Sequence, residues 1–529
     1  MGCWAGRSLI ARTAGKTNYS TGIIDNTVPV RDTFAYLIKK GYSVEWQSYV
    51  KEKAVNSGSI LPVEEEGEGG GRTLKRQLKA RHIAMISIGG VIGTGLFLGT
   101  GNALKNGGPV GLLLGYITMG TICYAVMLCL GEMVSYLPIP GGHIKLAERF
   151  VNPAFSFTMG WNYWYNWVIV LPAELSAAAV LIDYWEHHKV NDAAWITICL
   201  VVVIIINMLG AGAYGEAEFV FASIKVITIT GLIILGIILD LGGGPDHDRI
   251  GFRYWKHPGP FVQFNKIGGA KGRFLGWWSV MTQAAFSYIG LRLHPIYSVL
   301  ASSISRAGIK GLPSVINAAL LTSAWSAASS DLFTSSRALY GLSISGNAPR
   351  IFSRTSRSGL PYVSVIFCSL FCTLSYMGVK SGSGKVFGWF ANMTAIAGLM
   401  TWFGIAVTYV RFYAGMKAQG FDRSKLPFWS RLQPFAAWYV IVSTLVICFF
   451  SGFQVFLKDS WKTSDFVTNY LPFALFPILY FGARYGFYRT PMVDAVDMDF
   501  ITGIAQVEAD SYDEPPPKNF LAKFWSWLM

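Results

Sequence analysis

Charge is scarce in this chain: 14% of its 529 residues are charged, against 52% apolar and 15% aromatic, and the mean hydropathy is +0.40. Soluble domains carry about 25% charged residues, so a soluble globular protein of this length is excluded. Acidic groups are the rarer sign, 30 against 44 basic, for a formal charge of +14. Such a surplus can serve nucleic acid, but here the basic residues flank hydrophobic runs, where they mark cytoplasmic loops. No nucleic-acid partner is therefore expected. Metal-type spacing is also lacking: the cysteines at 3, 123, 129, 199, 368, 372 and 448 form no CxxC pair, and all but Cys3 lie in apolar runs. His187, His188, His247 and His257 fall in loops without zinc-ligand spacing. No cofactor, metal or enzyme constellation is expected, and the cysteines should be reduced packing residues. The first 80 residues hold no apolar core of a secretory signal, so the first span should act as its own.

What is present is a series of long apolar runs. Residues 1–82 are polar, with the run EEEGEGGG from Glu64 to Gly71, and form the expected cytosolic N-terminal tail. Runs follow at about 83–104, 110–134, 155–182, 194–210, 217–240, 274–290, 312–342, 361–379, 386–411, 436–456 and 467–487. These eleven candidates make a transmembrane domain over 83–487, and 488–529 a cytosolic C-terminal tail. The expected fold is all-α and polytopic. Arg72, Lys75, Arg76, Lys79 and Arg81 precede the first run and keep the amino end inside.

Counting from there, the sixth run ends inside. The basic loops at Arg350, Arg354 and Arg357, and at Arg411, Lys417, Arg423, Lys425 and Arg431, also belong inside, so the seventh run must start outside. The two demands conflict unless another crossing lies between Gly290 and Gly311, where LRLHPIYSVLASSISRAGIKG is too short and too polar to provide it.

The run SIGGVIGTGLFLGTG, Ser87 to Gly101, puts six glycines within one span. Gly89 and Gly93 form a GxxxG pair that helix packing alone would explain. The alternative is an unwound segment at Ile92, Gly93, Thr94 and Gly95. Bare N–H groups at the restarted half-helix would suit a substrate carboxylate, and bare carbonyls an ammonium group.

GGVIGTGLFLGTG, GGPVGLLLGY, GEMVSYLP, GWNYWYNWVIVLPAELSAAA, GEAEFVFASIKVI, FSYIG and SAWSAASSDLFTSSRALYGLS together resemble the fungal amino-acid permeases, from about residue 72 to about 505. The resemblance implies an inverted-repeat transporter of twelve spans, with the first and sixth helices broken and facing each other at mid-membrane. It implies amino-acid substrates of neutral or broad range, coupling to protons, alternating access, the plasma membrane, and trafficking and ubiquitination partners in the cytosol. The substrate would lie against Ile92, Gly93, Thr94 and Gly95 and against Phe286, Ser287, Tyr288 and Gly290. Phe286 would close over it, while Asn392 and Thr394 of the family's tenth span read its side chain.

After Gly290 the chain departs from the family, passing to LRLHPIYS where a second half-helix, a basic loop and the seventh span are due. The sixth span is thus expected to be truncated and the seventh missing, through a skipped exon or a mis-joined gene model. The competing functional reading is a non-transporting amino-acid sensor or an inactive paralogue.

Three ionisable groups sit in costly positions inside runs. Lys225 lies mid-run, where a charged lysine costs about 2.5–3.5 kcal/mol even on the gentler scale. In the wider superfamily a lysine at the matching place looks like the proton carrier; otherwise it is a fixed ammonium bridging to the first span. Glu174 would line the route or serve as a structural acid, and Glu132 would be a gate or helix-end group. Asp331 and Arg337 read as structural. Trp161, Tyr163, Trp164, Tyr165 and Trp167 could wall a pocket, but a headgroup belt is the expected place for them.

Overall fold

Apolar runs this long have to satisfy their own backbone, and in lipid the helix does so within one segment. The computed structural model describes residues 94–186, 189–243, 247–249, 251–257, 259–289 and 312–502, and among them there is no strand. The principal helices are α1 Thr94–Tyr136, α2 Gly142–Phe150, α3 Pro153–Ile169, α4 Leu171–Glu186, α5 Asp192–Met208 and α6 Ala211–Asp240. They continue with α7 Gly269–Ile289, α8 Leu312–Ile344, α9 Tyr362–Phe371, α10 Ser383–Ala418, α11 Phe435–Phe450 and α12 Thr463–Gly482. The described parts of the apolar runs are mainly helical, with the run at 155–182 divided between α3 and α4. Six described helical stretches are long and apolar enough to cross a bilayer, among them Ala103–Tyr136, Ala211–Asp240 and Ser383–Ala418.

Buried side chains form two main clusters. One joins α1, α2, α7, α10, α11 and α12 with the first half of α3; the other joins the rest of α3 with α4, α5, α6, α8 and α9. The outer face of α6 stays apolar, with Ile227, Ile233, Ile234 and Ile237 exposed as a lipid-facing stripe requires. The aromatic run of α3 departs from the belt expectation. Trp164 is buried against Phe367 and Phe371 of α9, and its four neighbours are at least half-buried among helices, because alternate faces of α3 all meet protein.

α1 joins the described end of the first expected run, from Thr94, to the second run at a kink. Gly108 adopts φ 72°, ψ 176°, and a Cβ there would stand 2.9 Å from the Pro260 carbonyl oxygen and the Val262 nitrogen. Pro109 removes the next donor and disfavours helix at the residue before it, so the break falls there. The Val110 N–H donates to Pro260 O at 3.0 Å instead.

The connection 290–311 faces a topological problem. Asn106 in α1, Ser279 in α7 and Lys385 at the start of α10 line one cavity, so the starts of α7 and α10 share an end of the bundle. Ser383 Oγ donates to Asp192 Oδ2 at 2.6 Å, bringing the start of α5 and hence the end of α4 to that level. Asn317 Nδ2 in the second turn of α8 donates to Leu181 O of α4 at 2.7 Å. Successive helices α7 and α8 therefore start from the same end, the conflict that the basic loops pose.

At the opposite end, residues 490–502 do not leave the bundle. Gln419 donates to the carbonyls of Ala495 and Met498, Arg149 to Thr502 O, and Arg411 to Val493 O. Phe500 is 1% exposed, among Phe150, Phe412 and Phe421 with ring centroids 4.9–5.6 Å away. Phe500→Ala should remove about 3–5 kcal/mol of that docking. Limited proteolysis of the membrane-embedded chain should then cut after Arg489 faster than in the unsubstituted protein; an unchanged cleavage rate would refute the anchor.

Candidate functional site

Lys225 lies on the inward face of α6, 2% exposed, with Glu218 two turns earlier on the same face and 1% exposed. Their charged atoms are 3.7 Å apart, an ion pair inside the bundle. Ser326 Oγ of α8 donates to the other Glu218 oxygen at 2.7 Å. One turn before Glu218, Tyr214 donates to Ser330 at 3.0 Å and stacks on Phe333, ring centroids 4.0 Å apart. Glu174 and Asp331, both buried, act electrostatically on the same ammonium. Arg337 turns away, donating to Phe333 O with its guanidinium 3.2 Å from the Phe333 ring. A lysine and three acids thus meet between α4, α6 and α8, where each added or lost proton changes an uncancelled charge in low dielectric. Glu218 is absent from the sequence reading, although its spacing of seven from Lys225 on one helix was available as a signal.

Glu132 is wholly buried near the end of α1. Its carboxylate accepts from Tyr409 of α10 at 2.5 Å, from Arg423 at 2.9 and 3.0 Å, and from the Ser430 N–H at 2.7 Å. Arg423, in the loop between α10 and α11, also lies 4.8 Å from the Tyr413 ring centroid. Partial burial disfavours its charge, but Tyr409 and Glu132 hold the guanidinium above its ordinary range. Tyr409 and Arg423, which the sequence reading did not single out, close three elements into one clasp.

The expected substrate residues on α7 point in two directions. Phe286 meets Phe387 of α10 edge-on at 6.2 Å. Ser287 bonds to the Tyr116 hydroxyl at 2.8 Å, and the Tyr288 hydroxyl donates to the Tyr116 carbonyl at 3.1 Å, so both face α1. One turn before Phe286 and Ser287, Thr282 and Gln283 line a cavity of about 470 Å³ that also takes in Asn392. Thr394 is buried and donates to Phe390 O within its own helix. Thr94 and Gly95 open α1, while Ile92, Gly93 and Gly290 lie outside the described residues. The structure thus pairs Lys225 with Glu218, with Glu174 acting electrostatically on the same ammonium, sets Phe286 against the α10 wall, and leaves Glu132 in a separate cluster. Among the described residues no group of three or more His, Cys, Asp and Glu could hold a metal ion, and Cys123, Cys129, Cys199, Cys368, Cys372 and Cys448 are free thiols.

The amino acid permease family model matches residues 82–299 and 294–492. The chain is 37% identical to the dicarboxylic amino acid permease of Saccharomyces cerevisiae, covering 83% of this chain and 81% of the relative. It is 36% identical to the proline-specific permease of Emericella nidulans, covering 86% and 93%, and 35% identical to the lysine-specific permease of Saccharomyces cerevisiae, covering 88% and 84%. The first of these alignments spans 495 positions, yet 83% of 529 residues is about 439, so about 56 positions have no residue here. The two stretches matched by the family model meet at 294–299, beside the departure after Gly290. A helical membrane bundle with these matches along nearly all of its apolar length has one assignment: the chain belongs to the amino acid permease family, transporters rather than enzymes.

Proposed function

We infer that this protein carries amino acids, neutral or of broad range, across the plasma membrane, coupled to protons, by alternating access. One observation carries the coupling: an ammonium buried mid-span at Lys225, faced by Glu218, Glu174 and Asp331. Fixed charges in such surroundings cost several kcal/mol, and a lysine that alternates between dry and wet surroundings as helices rock can exchange a proton in each cycle. The α-amino and carboxylate groups of the substrate are assigned to the backbone at Ile92, Gly93, Thr94 and Gly95, opposite Phe286 to Gly290. Asn392 and Thr394 are assigned to its side chain, and Glu174 to the route. Both tails belong in the cytosol, where trafficking and ubiquitination factors would act on them.

Radiolabelled alanine, proline, lysine and aspartate uptake in a permease-deficient fungal host tests this reading. Uptake of the neutral pair should saturate and should fall to background when a protonophore collapses the gradient. Uptake indifferent to the gradient would remove the proton from the mechanism.

A second reading, a chain that binds amino acids or merely folds without net transport, is favoured by the shared starting end of α7 and α8 and by the roughly 56 unmatched positions. It expects no uptake of any of the four substrates, with full-length protein present in the membrane.

A further inference from the structure

The cavity beside Phe286 holds charged groups that the transport mechanism above does not use. Its rim carries Lys385, Lys462, Asp459 and Asp465, and its lining reaches Gln283 and Asn392. Its volume of about 470 Å³ falls within the usual range of small-molecule sites, about 300–1,000 Å³. Two of the four charges are engaged: Asp465 accepts from Trp389 Nε1 at 3.0 Å, and the Lys385 ammonium lies 5.0 Å from the Trp389 ring centroid. Asp459 and Lys462 have no side-chain partner among the described residues, and both are exposed. Deeper in, Gln283 Oε1 is buried without a hydrogen-bond donor among the described residues. A buried carbonyl in that condition costs about 1–3 kcal/mol unless a donor arrives.

Two lysines and two aspartates cancel in net charge while offering both signs at short range. A net-charged solute gains nothing from the summed field, whereas a dipolar solute can set its carboxylate toward the lysines and its ammonium toward an aspartate and the waiting Gln283 oxygen. We propose that this cavity is an entry site for zwitterionic amino acids, occupied before the substrate passes Phe286 and Phe387, and that its balanced rim disfavours amino acids of net charge. The inference rests on the transport reading for its purpose, but occupancy itself needs no turnover.

The test places a thiol on the cavity wall at a lining residue that the site does not use, Ser460→Cys in the full chain, and labels open membranes with a cationic and an anionic thiosulfonate of similar size. The unsubstituted chain supplies the background from its native thiols, and Gln454→Cys on the same lining reports on the same space if Ser460→Cys does not fold. Both reagents should react at rates within about threefold of each other, as a balanced field requires. Saturating L-alanine should slow both by at least roughly threefold, and L-lysine or L-glutamate by less. Adding Lys385→Glu and Lys462→Glu should favour the cationic reagent by roughly tenfold and make L-lysine the better protector. An unreactive cavity thiol, labelling untouched by L-alanine, or a reagent ratio unmoved by the double reversal would overturn the entry site. Uptake in sealed vesicles of the same preparation separates the two readings. Protection without uptake leaves the entry site standing and fells transport, while uptake without protection fells the entry site alone.

Discussion

Lys225→Met should abolish gradient-driven uptake and destabilise the protein by about 3–5 kcal/mol, because it leaves a carboxylate buried without its cation. Glu218 is 1% exposed and its nearest cation is the Lys225 ammonium at 3.7 Å, with the Ser326 hydroxyl on its other oxygen. One hydroxyl cannot replace a charge. Glu218→Leu should cost a similar amount, since Lys225 loses its ion-pair partner while Glu174 and Asp331 still act on the ammonium. The double variant is the informative one. Replacing a buried ion pair by apolar groups of similar size is often neutral or stabilising by about 1–4 kcal/mol, so part of the thermal stability in detergent should return, with Glu174 and Asp331 still lacking the ammonium, while proton-driven uptake stays absent. Single variants that melt like the unsubstituted protein would show that the pair is not dry. A double variant that still concentrates substrate against a gradient would remove Lys225 from coupling.

Most of the fold was legible because lipid permits so few solutions. Each described run became helix, and even the unmatched crossing after Gly290 showed itself in loop charges before α7 and α8 were seen to start at one end. What escaped the sequence are the parts whose stabilisation is tertiary. α2 has only nine residues, too short for a span and too polar to stand out, yet Leu146, Ala147 and Phe150 bury it. Residues 490–502 have no periodicity at all; side chains of Arg149, Arg411 and Gln419, distant in the chain, hold them by their carbonyls. The site was half legible for the same reason. Lys225, Glu174 and Glu132 declare themselves as charges inside apolar runs. Glu218 was hidden inside a motif, although a spacing of seven put it on the same face. Arg423 is separated from Glu132 by 291 residues, and no local pattern announces that pairing.

That long-range clasp carries the second large effect. Glu132 is entirely buried and its carboxylate is met from three elements: Tyr409 on α10, and Arg423 and the Ser430 amide from the loop after it. Arg423→Ala removes the only ion-pair partner of Glu132 among the described residues, leaving Tyr409 and one amide to stabilise a full charge. The expected cost is about 3–5 kcal/mol. Glu132→Gln should cost less, since the amide keeps an acceptor oxygen and the released guanidinium, with 18% of its side chain exposed, can recover part of its hydration. This ordering distinguishes a buried clasp from a solvated pair, for which both variants would fall within about 1 kcal/mol of the unsubstituted protein. The clasp ties the end of α1 to α10 and its loop, so any opening of the bundle at this end must break it or carry all three elements together. If it breaks in each cycle, Glu132→Gln should speed substrate release at that end while lowering stability only modestly. A variant with slower exchange at every substrate concentration would instead assign the three elements to one moving body.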